Sequence, residues 1–122
     1  MRGRAQSTVD SLGDGLLTTD TYGRIDYLNR AAEQLLGRGL ADVNGLPFAD
    51  VVTVVDEADR KALADPVRQC LASGATVSLG RRAVLLARAD GAERSIELTA
   101  APLRAERGDV TGAVVLLHDV TE

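Results

Sequence analysis

The alternation of apolar and polar residues predicts a β-hairpin close to the N terminus. The runs "GLLTTD" (residues 15–20) and "RIDYLN" (residues 24–29) are short, and the turn sequence "DTYG" links them. In the second run, a period of two places Ile25, Tyr27 and Asn29 on one face of the strand. These two runs are therefore expected to pair as antiparallel strands.

A short helix is predicted directly after the hairpin. Asn29 stands where strand becomes helix, and Asn caps helix N termini well because its side-chain oxygen accepts a hydrogen bond from a free backbone N–H. The helical run "RAAEQLLG" ends at Gly37, which favours the left-handed conformation at a helix C terminus. Residues 38–53 contain Gly and Pro and predict no more than one-turn helices.

The longest helical pattern covers residues 56–73 and ends at Gly74. Asp65 followed by Pro66 is typical of an N-cap and first helical residue, so we expect a break or kink there. A further helix is expected at the N terminus, over residues 1–12, before the glycines that follow interrupt it.

The remainder of the chain predicts three strands. "RRAVLLARAD", "AERSIELTAAPL" and "DVTGAVVLLHDV" are separated by the hairpin signals Asp90–Gly91 and Glu106–Asp109. The last strand is apolar on both faces, which indicates a central position in the sheet. The whole pattern predicts one α+β domain over residues 13–122, with a five-stranded antiparallel sheet and short helices covering one face.

Composition and charge exclude several classes of function. With 122 residues and a net charge of −4, the chain has no basic face for nucleic acid. It contains one cysteine, Cys70, and no apolar run long enough for a signal peptide or a membrane span, so a cytoplasmic location is expected, although a longer parent chain could be tethered to a membrane. A single histidine, with no G-x-S-x-G motif and no P-loop, predicts no catalytic residues.

An ordered set of motifs resembles the PAS family of sensory domains over residues 9–122. The pattern "D..G.I...N.AAE.L.G" is present at Asp20, Gly23, Ile25, Asn29, Ala31, Ala32, Glu33, Leu35 or Leu36, and Gly37, and "G..F" at Gly45 and Phe48. The C-terminal pattern "DG....IE....P.....G...G.V....D.TE" is present at Asp90, Gly91, Ile96, Glu97, Pro102, Gly108, Gly112, Val114, Asp119, Thr121 and Glu122.

This resemblance implies a cupped sheet of strand order 2-1-5-4-3 around a cavity of ligand size, and a regulatory role. It also implies an effector domain further along a longer chain: a histidine kinase, a diguanylate cyclase or phosphodiesterase of cyclic-di-GMP signalling, or a transcription regulator. The closing "DVTE" resembles the family's link to that effector, so Asp119, Thr121 and Glu122 are the predicted signal-transmission residues.

The residues that bind cofactors in other members of the family have few counterparts in this sequence. Cys70 lies outside the position of the reactive cysteine in flavin-binding members, and a small buried hydrophobic residue is its simpler interpretation. His118 lies in the last strand rather than in the long helix that provides a haem ligand, and no partner is spaced for a metal site. The sequence thus argues against haem, a covalent flavin adduct and a metal, leaves the cofactor unknown, and leaves His118 protonation open as a modulatory switch.

The predicted pocket lining is mostly apolar, and the same residues would also suit an ordinary core. Its members are Ile25, Tyr27, Asn29, Leu36, Phe48, Leu98 and Leu116. Asn29 has the alternative interpretation of a plain helix cap. Two functions stay open: a sensor of a small-molecule ligand, and a ligand-free module for dimerisation or spacing. In either case a homodimer is expected, through the N-terminal helix and the outer face of the sheet.

Overall fold

A computed structural model describes residues 14–86 and 93–119 of the chain. These residues form six strands and four short helices, in this order: β1 (Gly15–Thr19), β2 (Ile25–Leu28), α1 (Arg30–Leu36), α2 (Leu40–Val43), α3 (Phe48–Val51), β3 (Thr53–Asp56), α4 (Pro66–Ser73), β4 (Val77–Leu86), β5 (Glu93–Arg104) and β6 (Val110–Asp119). The predicted N-terminal helix, the turn at Asp90–Gly91, and Thr121 and Glu122 lie outside the described residues.

The strands form one antiparallel sheet with the order β2-β1-β6-β5-β4-β3. Without β3, the other five strands follow the predicted order 2-1-5-4-3, so the predicted fold class is confirmed. The last strand, β6, pairs with β1 on one side and β5 on the other, which confirms its central position. The sheet has one more strand than predicted, and the extra strand, β3, pairs with β4 at the edge.

The β1–β2 hairpin is held by its own turn. The Asp20 carboxylate accepts hydrogen bonds from the backbone N–H groups of Tyr22 (2.9 Å) and Arg24 (3.0 Å). Gly23 has a φ of 79°, which a residue with a side chain seldom adopts. The predicted turn is therefore formed by an Asp that bonds to the backbone of the turn and a Gly that permits the reversal.

A β-bulge in this hairpin overturns the predicted facing of β2. Thr18 pairs with Tyr27 and Thr19 pairs with Ile25, so Asp26 is an extra residue, and its carboxylate accepts a hydrogen bond from the Thr18 hydroxyl. The extra residue changes the phase of the alternation, because two residues of β2 now oppose one of β1. The side chain of Tyr27 is consequently exposed, and the prediction that it lines the interior is wrong.

The helix predicted from residue 56 begins only at Pro66, so its first half is wrong. The strand β3, Thr53–Asp56, includes the first residue of that prediction, and its β-branched Val54 and Val55 are buried. The Asp56 carboxylate then accepts a hydrogen bond from the Ala58 backbone N–H at 2.7 Å, and this local turn competes with a helix. The chain returns along β3, where the Leu63 N–H donates to the Val54 carbonyl at 3.0 Å.

The second half of that prediction is confirmed at both ends of α4. Asp65 caps the helix by accepting hydrogen bonds from the backbone N–H groups of Val67 (2.9 Å) and Arg68 (3.2 Å), and Pro66 is the first helical residue. Gly74 ends it in the left-handed conformation, with a φ of 70°.

The close approach of β6 to β1 yields a prediction for Gly112. A Cβ atom at this position would lie 2.0 Å from the Thr19 carbonyl oxygen, and backbone atoms cannot move away as a flexible side chain can. We expect Gly112→Ala to lower the free energy of unfolding by about 1–3 kcal/mol, as overpacking does elsewhere. Urea denaturation measures this change.

Gly39 provides the matched control for this substitution. It is the N-cap of α2, it has an extended φ of −88°, and a Cβ there would meet only the Glu33 Oε2 atom at 3.6 Å. Gly39→Ser should therefore leave stability close to that of the parent chain, because Ser is a good N-cap. Equal stability of the two variants would contradict the tight β1–β6 contact.

Candidate functional site

The candidate site is the apolar interior between the sheet and the helices that cover it. The inner face of the sheet contributes fully buried side chains from β1, β2, β5 and β6, and the helices contribute buried side chains from above. These residues include Leu17, Ile25, Ile96, Leu98, Val115 and Leu117 from the sheet, and Leu36, Phe48, Val67 and Cys70 from the helices. An interior of this composition suits an apolar occupant and equally well a packed core.

Four of the predicted lining residues meet in this interior. Ile25 and Leu98 reach it from the sheet, and Leu36 and Phe48 reach it from α1 and α3. Their burial is the part of the predicted site that the structure brings together.

The prediction that Leu116 lines the interior is also wrong. Its side chain is 43% exposed, whereas Val115 and Leu117 on either side of it are fully buried. β6 is apolar on both faces, so its sequence pattern does not show which residues point into the interior. The strand register decides this, because Leu117 pairs with the inward-facing Leu98 of β5. The buried residues missed by sequence reasoning include Leu28, Val43, Val67, Val115 and Leu117.

Asn29 ties β1, β2 and α1 together through one side chain. Its Oδ1 atom accepts two hydrogen bonds, from the Leu16 N–H at 2.9 Å and from the Ala32 N–H at 2.8 Å. Its Nδ2 atom donates to the carbonyl of Asp14 at 3.3 Å. The predicted cap of α1 is therefore present, and the same amide also holds the beginning of β1.

The end of β6 is joined to the beginning of β1 by an ion pair. The His118 Nδ1 atom lies 2.5 Å from Oδ1 of Asp14, and both side chains are partly exposed. The hydrogen bond to Asp14 raises the pKa of His118 above its ordinary value. Burial is the next largest contribution and lowers the pKa, and the negative charges of Asp14, Glu97 and Asp119 raise it. This pair links residues that are 104 positions apart, beside Asp119.

Cys70 lies on the buried face of α4. Its side chain is fully buried, and burial raises the pKa of the thiol, an effect that the charge of Arg104 partly opposes. A buried thiol with a raised pKa is a poor nucleophile, because the thiolate is the reactive form. Cys70 therefore acts as a small core residue.

Comparison with known proteins assigns the family. A sequence profile described as the PAS fold matches residues 9–122. The chain therefore belongs to the PAS family of sensory and signalling domains. "Sensor protein kinase WalK" of Staphylococcus aureus is 29% identical to it over 119 residues, which cover 98% of this chain and 25% of that protein. The chain thus spans a quarter of that relative's length, and the kinase's activity belongs to the relative as a whole.

Two crystal structures support the same fold. The PAS domain of a protein from Colwellia psychrerythraea matches with a TM-score of 0.70 at 21% identity, covering 99% of this chain and 98% of that one. The PAS domain of nitrogen regulation protein NR(II) from Vibrio parahaemolyticus matches with a TM-score of 0.66 at 17% identity, covering 95% and 97% of the two chains. At these identities the likeness concerns the fold alone.

Within residues 14–86 and 93–119, none of the helices has the length and apolar character needed to cross a bilayer. The same part of the chain contains no group of three or more His, Cys, Asp or Glu side chains arranged to hold a metal ion.

The contacts of Asn29 generate a stability prediction. Asn29→Ala removes the acceptor of two backbone N–H groups, and we expect it to lower the free energy of unfolding by about 1–3 kcal/mol. Asn29→Asp keeps a carboxylate oxygen for both and should cost less, although it loses the donor to Asp14. Equilibrium unfolding of the two variants checks this ranking, and an Asp variant as unstable as the Ala variant would contradict it.

The His118–Asp14 pair generates a pH prediction. Because the folded-state pKa of His118 is raised, its contribution to stability is fully present below the unfolded-state pKa of about 6.5. That contribution is lost as the pH rises through the higher, folded-state pKa. The chain contains one histidine, so its ring resonances in an NMR titration are unambiguous. We expect a midpoint above about 6.5.

Asp14→Asn supplies the matched control for this titration, because it keeps the size of the side chain and removes its charge. The His118 midpoint should fall toward the ordinary value in this variant. A midpoint that is the same in both proteins would show that Asp14 does not set the pKa.

Proposed function

We propose that this chain is a non-catalytic sensory domain that binds a small ligand or transmits signals to an effector domain outside the chain. The observation that carries the proposal is the family match over nearly the whole chain, together with a relative named a sensor kinase. A histidine kinase is accordingly the first choice of effector. A diguanylate cyclase, a phosphodiesterase and a transcription regulator are the others, and a cytoplasmic location is part of the proposal.

The proposed route of the signal begins in the interior. Leu36 and Phe48 contact the same core as Ile25 and Leu98, so an occupant that displaces the helices also acts on the inner face of the sheet. The domain is taken as residues 13–122, with residues 1–12 as a flanking helix. The signal leaves through the end of β6, where Asp119 precedes Thr121 and Glu122. A ligand can shift this equilibrium only by its difference in affinity for the two states.

Homodimerisation through the outer face of the sheet is the second part of the proposal. Leu116 and Tyr27 are 43% and 46% exposed there, and the partly buried Leu16 pairs with Leu116 across β1 and β6. Exposed apolar side chains that share one face favour contact with another apolar surface. The same observation favours the alternative function, a ligand-free module that holds two effectors together.

Native mass spectrometry, sedimentation velocity and thermal shift together separate these functions. Native mass spectrometry of the purified chain should detect a retained small molecule if the domain is a ligand sensor, and sedimentation velocity reports the dimer. A dimer that retains no ligand and shows no thermal shift with any metabolite would favour the spacer function. A monomer at all concentrations, without ligand, would contradict both.

The outer face yields a specific prediction for the dimer. Leu116→Glu places a charge in the proposed interface and should raise the dimer dissociation constant at least about tenfold, since an unpaired charge in an interface costs several kcal/mol. Tyr22→Glu is the control, because Tyr22 is 79% exposed in the β1–β2 turn, away from the outer face. Sedimentation velocity of both variants tests the prediction. An unchanged dimer in Leu116→Glu would move the interface elsewhere.

A further inference from the structure

A hollow of about 160 Å³ lies at the side of the domain, between α3, β3 and the segment that leads into α4. Its floor consists of the buried residues Phe48, Val52 and Val54. Leu63 and Pro66 form the opposite wall. Most of the lining residues are apolar, and four of them, Phe48, Val52, Val54 and Leu63, belong to the core or pack against it.

The wall of this hollow is fixed by hydrogen bonds of the backbone. The Leu63 N–H donates to the Val54 carbonyl at 3.0 Å, and the Asp56 N–H donates to the Lys61 carbonyl at 2.9 Å. The turn between these bonds also carries a half-exposed ion pair between Arg60 Nη2 and Glu93 Oε2, at 2.5 Å. The segment that closes the hollow is therefore attached to the sheet at several points, and the space does not depend on a loose loop.

Size and charge define what the hollow accepts. An enclosed apolar cavity of about 150 Å³ binds benzene, and this hollow has a similar volume but is open to solvent beside the exposed Ala62 and Ala64. The Asp65 carboxylate lies at the rim, and its Oδ1 atom is already used to cap α4. Its negative charge disfavours an anionic ligand, and the apolar floor disfavours any charged group that would lose its water.

We propose that this hollow binds a compact neutral ligand with the size and polarity of a monocyclic aromatic hydrocarbon, with about six to eight non-hydrogen atoms. The floor residues Phe48 and Val52 belong to the same cluster as Ile25 and Leu98, so an occupant contacts the side chains that pack on the inner face of the sheet. The inference that occupancy is the event the domain senses rests on the proposed sensory function.

Toluene is the probe for the site, in a two-dimensional NMR titration of the full chain. We expect saturable shifts that are largest at Phe48, Val52 and Val54, and at least tenfold weaker binding of benzoate, which has a similar ring and a negative charge. Shifts that grow without saturation, or that centre on the outer face of the sheet, would overturn the site, and so would equal binding of benzoate.

Ala62→Phe is the variant that fills the hollow from its rim, where Ala62 is exposed. It should abolish the saturable toluene shifts. Ala72→Phe adds the same ring to an exposed position of α4 outside the hollow and should leave them unchanged. If the spectrum of Ala62→Phe shows an unfolded chain, Ala64→Leu gives the same test from a neighbouring exposed position. Full toluene binding in a folded filling variant would overturn the proposal.

Sedimentation velocity with and without toluene separates the site from its proposed role. A change in the dimer dissociation constant that is lost in the filling variant supports both. Saturable binding with no change in the dimer or in β6 resonances supports the site and contradicts its use as a sensor. The absence of binding contradicts the site and leaves the other functional proposals to their own tests.

Discussion

The arrangement of this domain depends on the hydrogen bonds made by one side-chain amide, that of Asn29. Three backbone segments end or begin within reach of it: the start of β1, the end of β2 and the first turn of α1. A β-strand and a helix N terminus both present N–H groups that their own element cannot satisfy, and Oδ1 of Asn29 accepts one from each, Leu16 and Ala32. Asn29 therefore connects the first turn of α1, which covers the interior, to the start of β1.

Local chemistry explains which parts of the fold can be read from the sequence. The ends of α1 and α4 follow from Asn29, Gly37 and the pair Asp65–Pro66, because capping needs only residues within one turn of each other. The β1–β2 turn follows from Asp20 in the same way. The order of the strands, by contrast, came from the resemblance to a family, since antiparallel pairing of distant segments leaves little trace in a single sequence.

The errors in the predicted site have a common physical origin in strand register. An alternation with a period of two predicts that Tyr27 faces the interior, but the extra residue Asp26 interrupts that alternation. For Leu116 the sequence pattern does not distinguish the two faces of β6, because both are apolar. Pairing with β5 decides which face is covered. Sequence reasoning misses the strand β3 because it has only four residues and its pairing partner β4 lies about thirty residues away in the chain. Leu36 and Phe48 lie on helices, so their burial does not depend on strand register. Ile25 and Leu98 lie on strands, and the predicted alternation places both on the buried face.

β6 is the element through which the proposed functions are connected. Leu117 faces the interior, Leu116 faces the outer surface, and His118 contacts Asp14 at the start of β1. Because β6 is hydrogen-bonded to a strand on each side, it cannot shift alone without breaking a ladder, so a change at Leu117 must move its neighbours with it. In the proposed sensory role, a ligand in the interior would thus reach the dimer surface and the chain ends through a tilt of paired strands. Such a tilt requires two packings of the core that are close in free energy, and the apolar interior, with few directional bonds, is the part of the domain where that condition is most easily met.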